Sequence, residues 1–249
     1  MPEVFNKNEQ QSPPSGAARL AIMQPYLFPY IGYLQLMAAV DTFVIYDDVA
    51  FINKGWINRN KILVGGKDNL FTVPLIGASQ NRLIKDIEID DSTKWRGKFL
   101  KTLEQSYKKA PQFQAVFPVV TEIIESEEKM IAGMIAKSLE KMANYLEIKT
   151  KIVSSSSIYQ NENLKAQERI LDICLKEKAQ QYINPSGGIE LYDKNHFAEQ
   201  GISLNFIRSK PIVYPQFQNE FVPWLSVIDV LMFNTKEQVT EILNQYELI

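Results

Sequence analysis

Two short, almost wholly apolar runs, residues 19–23 and 42–46, constrain this chain more than any other feature. Neither alternates polar with apolar, so each reads as a strand buried on both faces, the pattern of a parallel sheet. Between them, Leu34, Met37 and Ala38 in residues 33–40 recur at helical spacing. Strand, helix and strand within about 30 residues is the size of a βαβ unit. The same rhythm returns later in the chain. Residues 150–154 read as a strand, and 163–178 as a helix with Ile170, Ile173 and Cys174 toward the core. Residues 181–184 and 203–207 read as strands around a short helix at 192–200.

The middle of the chain has a different character. In residues 53–75, two β-prone stretches flank Gly65-Gly66-Lys67-Asp68, a hairpin signal. Residues 86–90 alternate as a strand with one wet face. Ser92 is placed to cap a helix starting near Thr93, and Pro111 interrupts the helical pattern. Residues 118–146 are strongly helical, so a helical insertion is expected at about 93–148, between two halves of the sheet. Residues 223–246 are again helix-rich. The expected organisation is a flexible tail over residues 1–18 and a single α/β domain over 19–249.

Charge and rare residues exclude several function classes. The formal net charge is −2, which gives no global positive field for nucleic acid. With one cysteine, Cys174, and one histidine, His196, neither an internal disulfide nor a closed Cys/His zinc site can form. Both residues read as packing rather than chemistry. No apolar run is long enough to span a membrane, and residues 1–18 have no signal-peptide core, so a cytoplasmic location is expected.

In a parallel sheet, ligands bind outside the carboxyl ends of the strands. Four such ends carry small or polar residues: Gln24-Pro25-Tyr26, Asp47-Asp48, residues 154–157, and 184–188. Asp47 and Asp48 are the candidate catalytic carboxylates, one as a general base or a holder of a divalent ion and the other as a cap on the turn. Neighbours on a strand face opposite ways, so they share a site only if the strand has ended. The densest polar-aromatic cluster is Lys54-Gly55-Trp56-Ile57-Asn58-Arg59-Asn60. An extended reading puts Trp56, Asn58 and Asn60 on one face. Aromatic stacking, amide hydrogen bonds and the cations Lys54 and Arg59 suit an anionic, sugar-bearing ligand. An exposed hairpin with a partly buried Trp accounts for the same residues. Asn184, Gly187 and Gly188 follow a strand and free backbone amides to face an anion, although a simple turn serves equally. Asp229, inside an apolar helical stretch, is expected to pair with a cation across a packed interface.

Pro29-Tyr30-Ile31-Gly32-Tyr33 lies between the first strand and its helix. Its position resembles the H-x-G-H motif of nucleotidyltransferase-like α/β domains, with Tyr30 and Tyr33 where histidines would stand. That likeness implies a Rossmann-like, mainly parallel sheet and a binding role for both tyrosines. A tyrosine cannot supply an imidazolium charge, so it does not imply ordinary adenylyl transfer. An aromatic staple with a glycine turn is the alternative.

Five blocks carry a closer resemblance: residues 21–26, 28–33, 44–49, 55–60 and 225–232. Together they are similar to the WbqC-like family, over residues 19–249. The resemblance implies a place in bacterial surface-polysaccharide (O-antigen) loci and an aminoacyl (glycine) transfer to an amino sugar. The substrate would be a sugar or nucleotide sugar, or a sugar on a lipid carrier. The acyl donor and acceptor stay open, and no set of catalytic residues is carried over. Two other readings stand beside it: a divergent nucleotidyltransferase using Mg²⁺ and a nucleotide, and a non-catalytic scaffold for polysaccharide enzymes.

Overall fold

A computed structural model describes residues 18–218 and 220–249. The expected tail at residues 1–18 lies, but for its last residue, outside them. The first apolar runs form strands β1 (Arg19–Met23) and β2 (Thr42–Ile45), joined through helix α1 (Ile31–Ala38). A hairpin follows, of β3 (Arg59–Val64) and β4 (Lys67–Thr72). Its two-residue turn, Gly65-Gly66, has φ of +59° and +78°, the left-handed pair that a tight hairpin needs. Short strands β5 (Leu75–Ile76) and β6 (Glu88–Ile89) pair antiparallel.

The insertion comprises α2 (Trp95–Tyr107), α3 (Phe113–Ile124) and α4 (Ile131–Tyr145). Pro111 falls in the break between α2 and α3, as its missing N–H requires. The strongly helical residues 118–146 hold the end of α3 and all of α4, with a break at 125–130, where Glu125, Glu127 and Glu128 are followed by Lys129. One local expectation needs correction. Ser92 caps nothing through its own side chain. Asp90 accepts from the Ser92 backbone N–H at 3.0 Å instead, and α2 starts after Lys94 in a left-handed conformation.

The sheet then resumes with β7 (Lys151–Val153), α5 (Ala166–Lys176), β8 (Gln181–Pro185), α6 (Lys194–Glu199) and β9 (Ser203–Ser209). Helices α7 (Val227–Phe233) and α8 (Lys236–Leu243) lead to β10 (Tyr246–Leu248). The six strands lie in the order β10-β9-β8-β1-β2-β7. All neighbours are parallel except β10, which runs antiparallel on the edge. The α/β, mainly parallel reading therefore holds, with an antiparallel edge that the sequence reading did not anticipate.

Alternation along the strands divides the core. Ala21, Phe43 and Ile45 face one side with α1, the insertion, α7 and α8. Leu20, Ile22 and Val44 face the other, with α5, Cys174 and Phe197 of α6. Helix α1 is buried nearly all round because it lies between the sheet and α8. Winding proceeds from β1 through β2 to β7 in one direction, then from β8 to β9 in the other. The order reverses between β1 and β8, the topological switch point beside which ligands bind in open α/β sheets.

Candidate functional site

Beyond β2 the strand has ended, so the side chains of Asp47 and Asp48 no longer point to opposite faces. Both reach Ser156, in the loop after β7. Asp47 Oδ1 accepts from Ser155 Oγ at 2.8 Å and from the Ser156 backbone N–H at 3.0 Å. Asp48 accepts from Ser156 Oγ and pairs with Arg169 of α5. Arg169 Nε donates to Asn161 Oδ1 at 2.9 Å, and its guanidinium lies over the Tyr46 ring. Asp47, Asp48, Ser156, Asn161 and Arg169 are all buried. Burial pushes the Asp47 carboxyl above its ordinary value, against the pull of the Ser155 hydroxyl and the Ser156 amide. The two acids thus differ: Asp48 is ion-paired, whereas Asp47 has only neutral donors among these contacts.

After β8 the chain enters a 3₁₀ turn at Ser186–Leu191. Tyr182 donates to Asn184 Oδ1 at 3.1 Å, and Asn184 Nδ2 donates to the Pro185 carbonyl at 3.2 Å. Gly188 is buried against that amide, while Gly187 is exposed with open space where a Cβ would go. On the neighbouring strand, the Gln24 carbonyl accepts from the Tyr33 hydroxyl at 2.9 Å. The Tyr33 ring is buried beside Tyr26 and Phe43. Its hydroxyl holds the end of β1.

Residues 53–58 are a turning loop and not an extended strand, because Lys54 adopts φ +59° and the Gly55 N–H bonds back to the Ile52 carbonyl. The expected alternation fails there: Trp56 is exposed and Asn60 is buried. Arg59 donates to the carbonyls of Gly55 (2.9 Å) and Lys54, and packs near the Trp56 ring. Asn58 Nδ2 donates to the Val73 carbonyl at 2.7 Å. Asn60 Nδ2 donates to the Phe28 carbonyl at 2.8 Å, which also accepts from Ser226 Oγ at 2.8 Å. The Asn60 amide thus ties β3 to the loop after β1, and the Ser226 hydroxyl ties the start of α7 to the same carbonyl.

Tyr30 faces a different part of the rim. A cleft of about 310 Å³ opens at the carboxyl end of β9, lined by Tyr30, Ser209, Lys210, Tyr214 and Trp224 among others. Gly32 permits α1 to approach it: a Cβ there would lie 2.7 Å from Ser209 Oγ. Behind the cleft, Asp229 is fully buried and accepts from Tyr107 (2.8 Å), Tyr214 (2.7 Å) and Gln216 (2.6 Å). The expected cation partner is replaced by these neutral donors. Burial raises the Asp229 pKa, and the three hydrogen bonds oppose that shift.

The rim therefore brings Asp47 and Asp48 together with the serine loop, and Asn184 with Gly188. It adds Arg169, Ser209, Lys210, Tyr214 and Trp224, which sequence reasoning missed. Arg169 could have been suspected as a lone basic residue on the apolar face of a helix. Ser209 is the last residue of β9, and Lys210, Tyr214 and Trp224 lie in the connecting segment that follows, without periodicity. Among the described residues, no three His, Cys, Asp or Glu side chains gather where they could hold an ion. Asp48 is committed to Arg169, so Asp47 is the one carboxylate of the pair without a cation among its contacts. No helix among the described residues is long and apolar enough to cross a membrane.

Comparison with known proteins gives a family match: the model of the WbqC-like protein family covers residues 24–241. An uncharacterized protein of Mycobacterium tuberculosis (strain ATCC 25618 / H37Rv), Rv1507c, is 27% identical over 228 residues, spanning 90% of this chain and 97% of its own. No solved structure matches significantly.

Proposed function

Because this chain belongs to the WbqC-like protein family, we propose that it is a transferase of bacterial surface-polysaccharide (O-antigen) biosynthesis. Its substrate is an amino sugar on a nucleotide or lipid carrier, and the group transferred is aminoacyl, with glycine the first candidate. The observation that carries the reading is topological. The strand order reverses between β1 and β8, and Gln24, Asn184 and Gly187-Gly188 lie at the two strand ends flanking that switch point.

The chemistry asked of the rim is simple. The sugar amine attacks an activated acyl carbonyl; a C–N bond forms and the bond from the carbonyl to its carrier breaks. The amine must lose a proton as it attacks. Asp47 suits that role better than Asp48, because no cation neutralises it in its contacts and burial raises its pKa toward the working range of a base. Asp48 with Arg169 would hold the loop on which Asp47 sits. Backbone N–H groups of the Gly187-Gly188 turn would face the developing oxyanion.

The test is mass spectrometry of UDP-amino sugars incubated with the protein and aminoacyl donors. A sugar gaining the mass of a glycyl residue is the expected result, with Asp47→Asn lowering turnover more than affinity. Binding of the sugar nucleotide without product from any donor would replace the transferase reading with a non-catalytic one.

A further inference from the structure

We propose that the cleft at the carboxyl end of β9 binds a nucleoside diphosphate, with the base against Trp224 and the diphosphate toward Lys210. This deepens the preceding reading and rests on it for the sugar that the diphosphate carries. Three independent observations lead to it.

Trp224 is 69% exposed, yet its backbone is held at φ +62°. The left-handed region is costly for a bulky side chain, and folding gains little by placing an indole in water there. The surrounding structure nonetheless supports the ring. Tyr30 lies 5.0 Å from it, centroid to centroid, at an interplanar angle of 43°. The outer face of the indole is available to a flat ligand. Stacking on an aromatic side chain tolerates any base, because every base has a π-face.

Lys210 supplies the charge. It is exposed, makes no ion pair among the described residues and lines the cleft, so its charge is available to a ligand there. Among the described residues, no Asp or Glu lines the cleft. The contrast with a larger groove of about 460 Å³ on the insertion decides which of the two suits an anion. That groove sets Glu122, Glu125, Glu127 and Glu140 against only Lys137 and Lys141, a net negative lining, and it lies on α3 and α4, away from the strand ends. Its acids would repel a diphosphate.

Position completes the case. Strands β9, β8 and β1 are consecutive. With neighbours about 4.8 Å apart, the cleft lies roughly 10 Å from the end of β1. An extended nucleotide sugar spans that distance, so its base can rest on Trp224 while its sugar reaches the ends of β8 and β1. A free sugar phosphate lacks the base and would lose the stacking contact.

The experiment is isothermal titration calorimetry on the full chain with UDP, UDP-N-acetylglucosamine and N-acetylglucosamine 1-phosphate. The two nucleotides should bind and the sugar phosphate should bind at least tenfold more weakly. Trp224→Ala and Lys210→Ala should each weaken UDP by about tenfold or more. Both side chains are exposed, so the fold should survive either change. Trp224→Gly provides the sharper variant: it relieves the left-handed backbone, so its melting temperature should hold or rise while UDP binding falls. Wild-type affinity for UDP in Trp224→Ala and Lys210→Ala would overturn the site, as would no binding of either nucleotide to the wild type. If UDP binding maps to the cleft but no aminoacyl product forms, the site stands and the transferase reading fails. If product forms with an unchanged KM for the nucleotide sugar in both variants, the cleft assignment fails alone.

Discussion

The side-chain amide of Asn184 fills the space that a Cβ on residue 188 would need. Glycine is imposed there by a neighbour and not by the backbone, since Gly188 is absent from the positive-φ positions. Asn184 cannot easily yield, because its two amide atoms are bonded to Tyr182 and Pro185. Gly188→Ala should therefore cost about 1–3 kcal/mol through overpacking. Gly187→Ala meets nothing within 4 Å and should stay within about 0.5 kcal/mol of the wild type. Urea denaturation of both variants checks this; equal midpoints would show that Asn184 is no obstacle.

Arg169→Met should be among the most destabilising single changes in the chain, at about 3–5 kcal/mol. It leaves the Asp48 carboxylate buried without its cation, while the Met fills much of the Arg volume. Adding Asp48→Leu to that variant should recover part of the loss, because no buried charge remains. A double-mutant cycle by chemical denaturation reads the coupling, and simple additivity would contradict the pairing.

Asp229 makes a prediction about pH. Its folded pKa is raised, so the folded state keeps a proton that the unfolded chain releases. Its contribution is full below an ordinary Asp pKa of about 3.9 and is lost as pH rises through the folded value. Asp41, Asp91 and Glu128 have lowered pKa values and act in the opposite sense. The useful quantity is therefore the stability of wild type minus that of Asp229→Asn, which should decline with rising pH across this window. An increase with pH would mean that the three donors favour the carboxylate over the acid.

Asn60→Ala should cost about 1–3 kcal/mol, because Lys61 N–H loses its acceptor and the Phe28 carbonyl loses one of two donors. Ser226→Ala removes the other donor. The combined variant should lose more than the sum of the two, since only then is that carbonyl left bare. Thermal melts of the three variants test the non-additivity.

The parallel strands β1 and β2 were readable because burial on both faces writes a nearly continuous apolar run into each. The edge strand β10 was not, since Tyr246–Leu248 is half-exposed and contains Glu247. The site was readable to a different depth. Asp47, Asp48 and the serine loop announced themselves as polar strand ends. Arg169 left a trace as a basic residue on the apolar face of α5, but its partner did not, because the bond to Asp48 spans 121 residues. The Lys54–Asn60 cluster shows the converse limit. Its residue types suggested a ligand, whereas Asn58, Arg59 and Asn60 direct side-chain donors at backbone carbonyls. Amides and guanidinium groups serve either purpose, and only three-dimensional placement tells which. Trp224 stood in a Pro-rich connection with no periodicity to mark it.

The Phe28 carbonyl, held by Asn60 and Ser226, has a consequence for how the molecule comes into being. The two donors lie 32 and 198 residues away along the chain. On a ribosome, the first bond is available early and the second only after most of the polypeptide has emerged. Strand β1 likewise waits for β8, which begins at residue 181. The nascent chain must therefore carry an unfinished sheet, with an unpaired edge, through most of its synthesis. Pairings of such long sequence separation fold slowly, and aggregation competes with them. Slowed elongation before residue 181 should lengthen that exposure, making soluble yield depend on translation rate as well as on the stability of the finished fold.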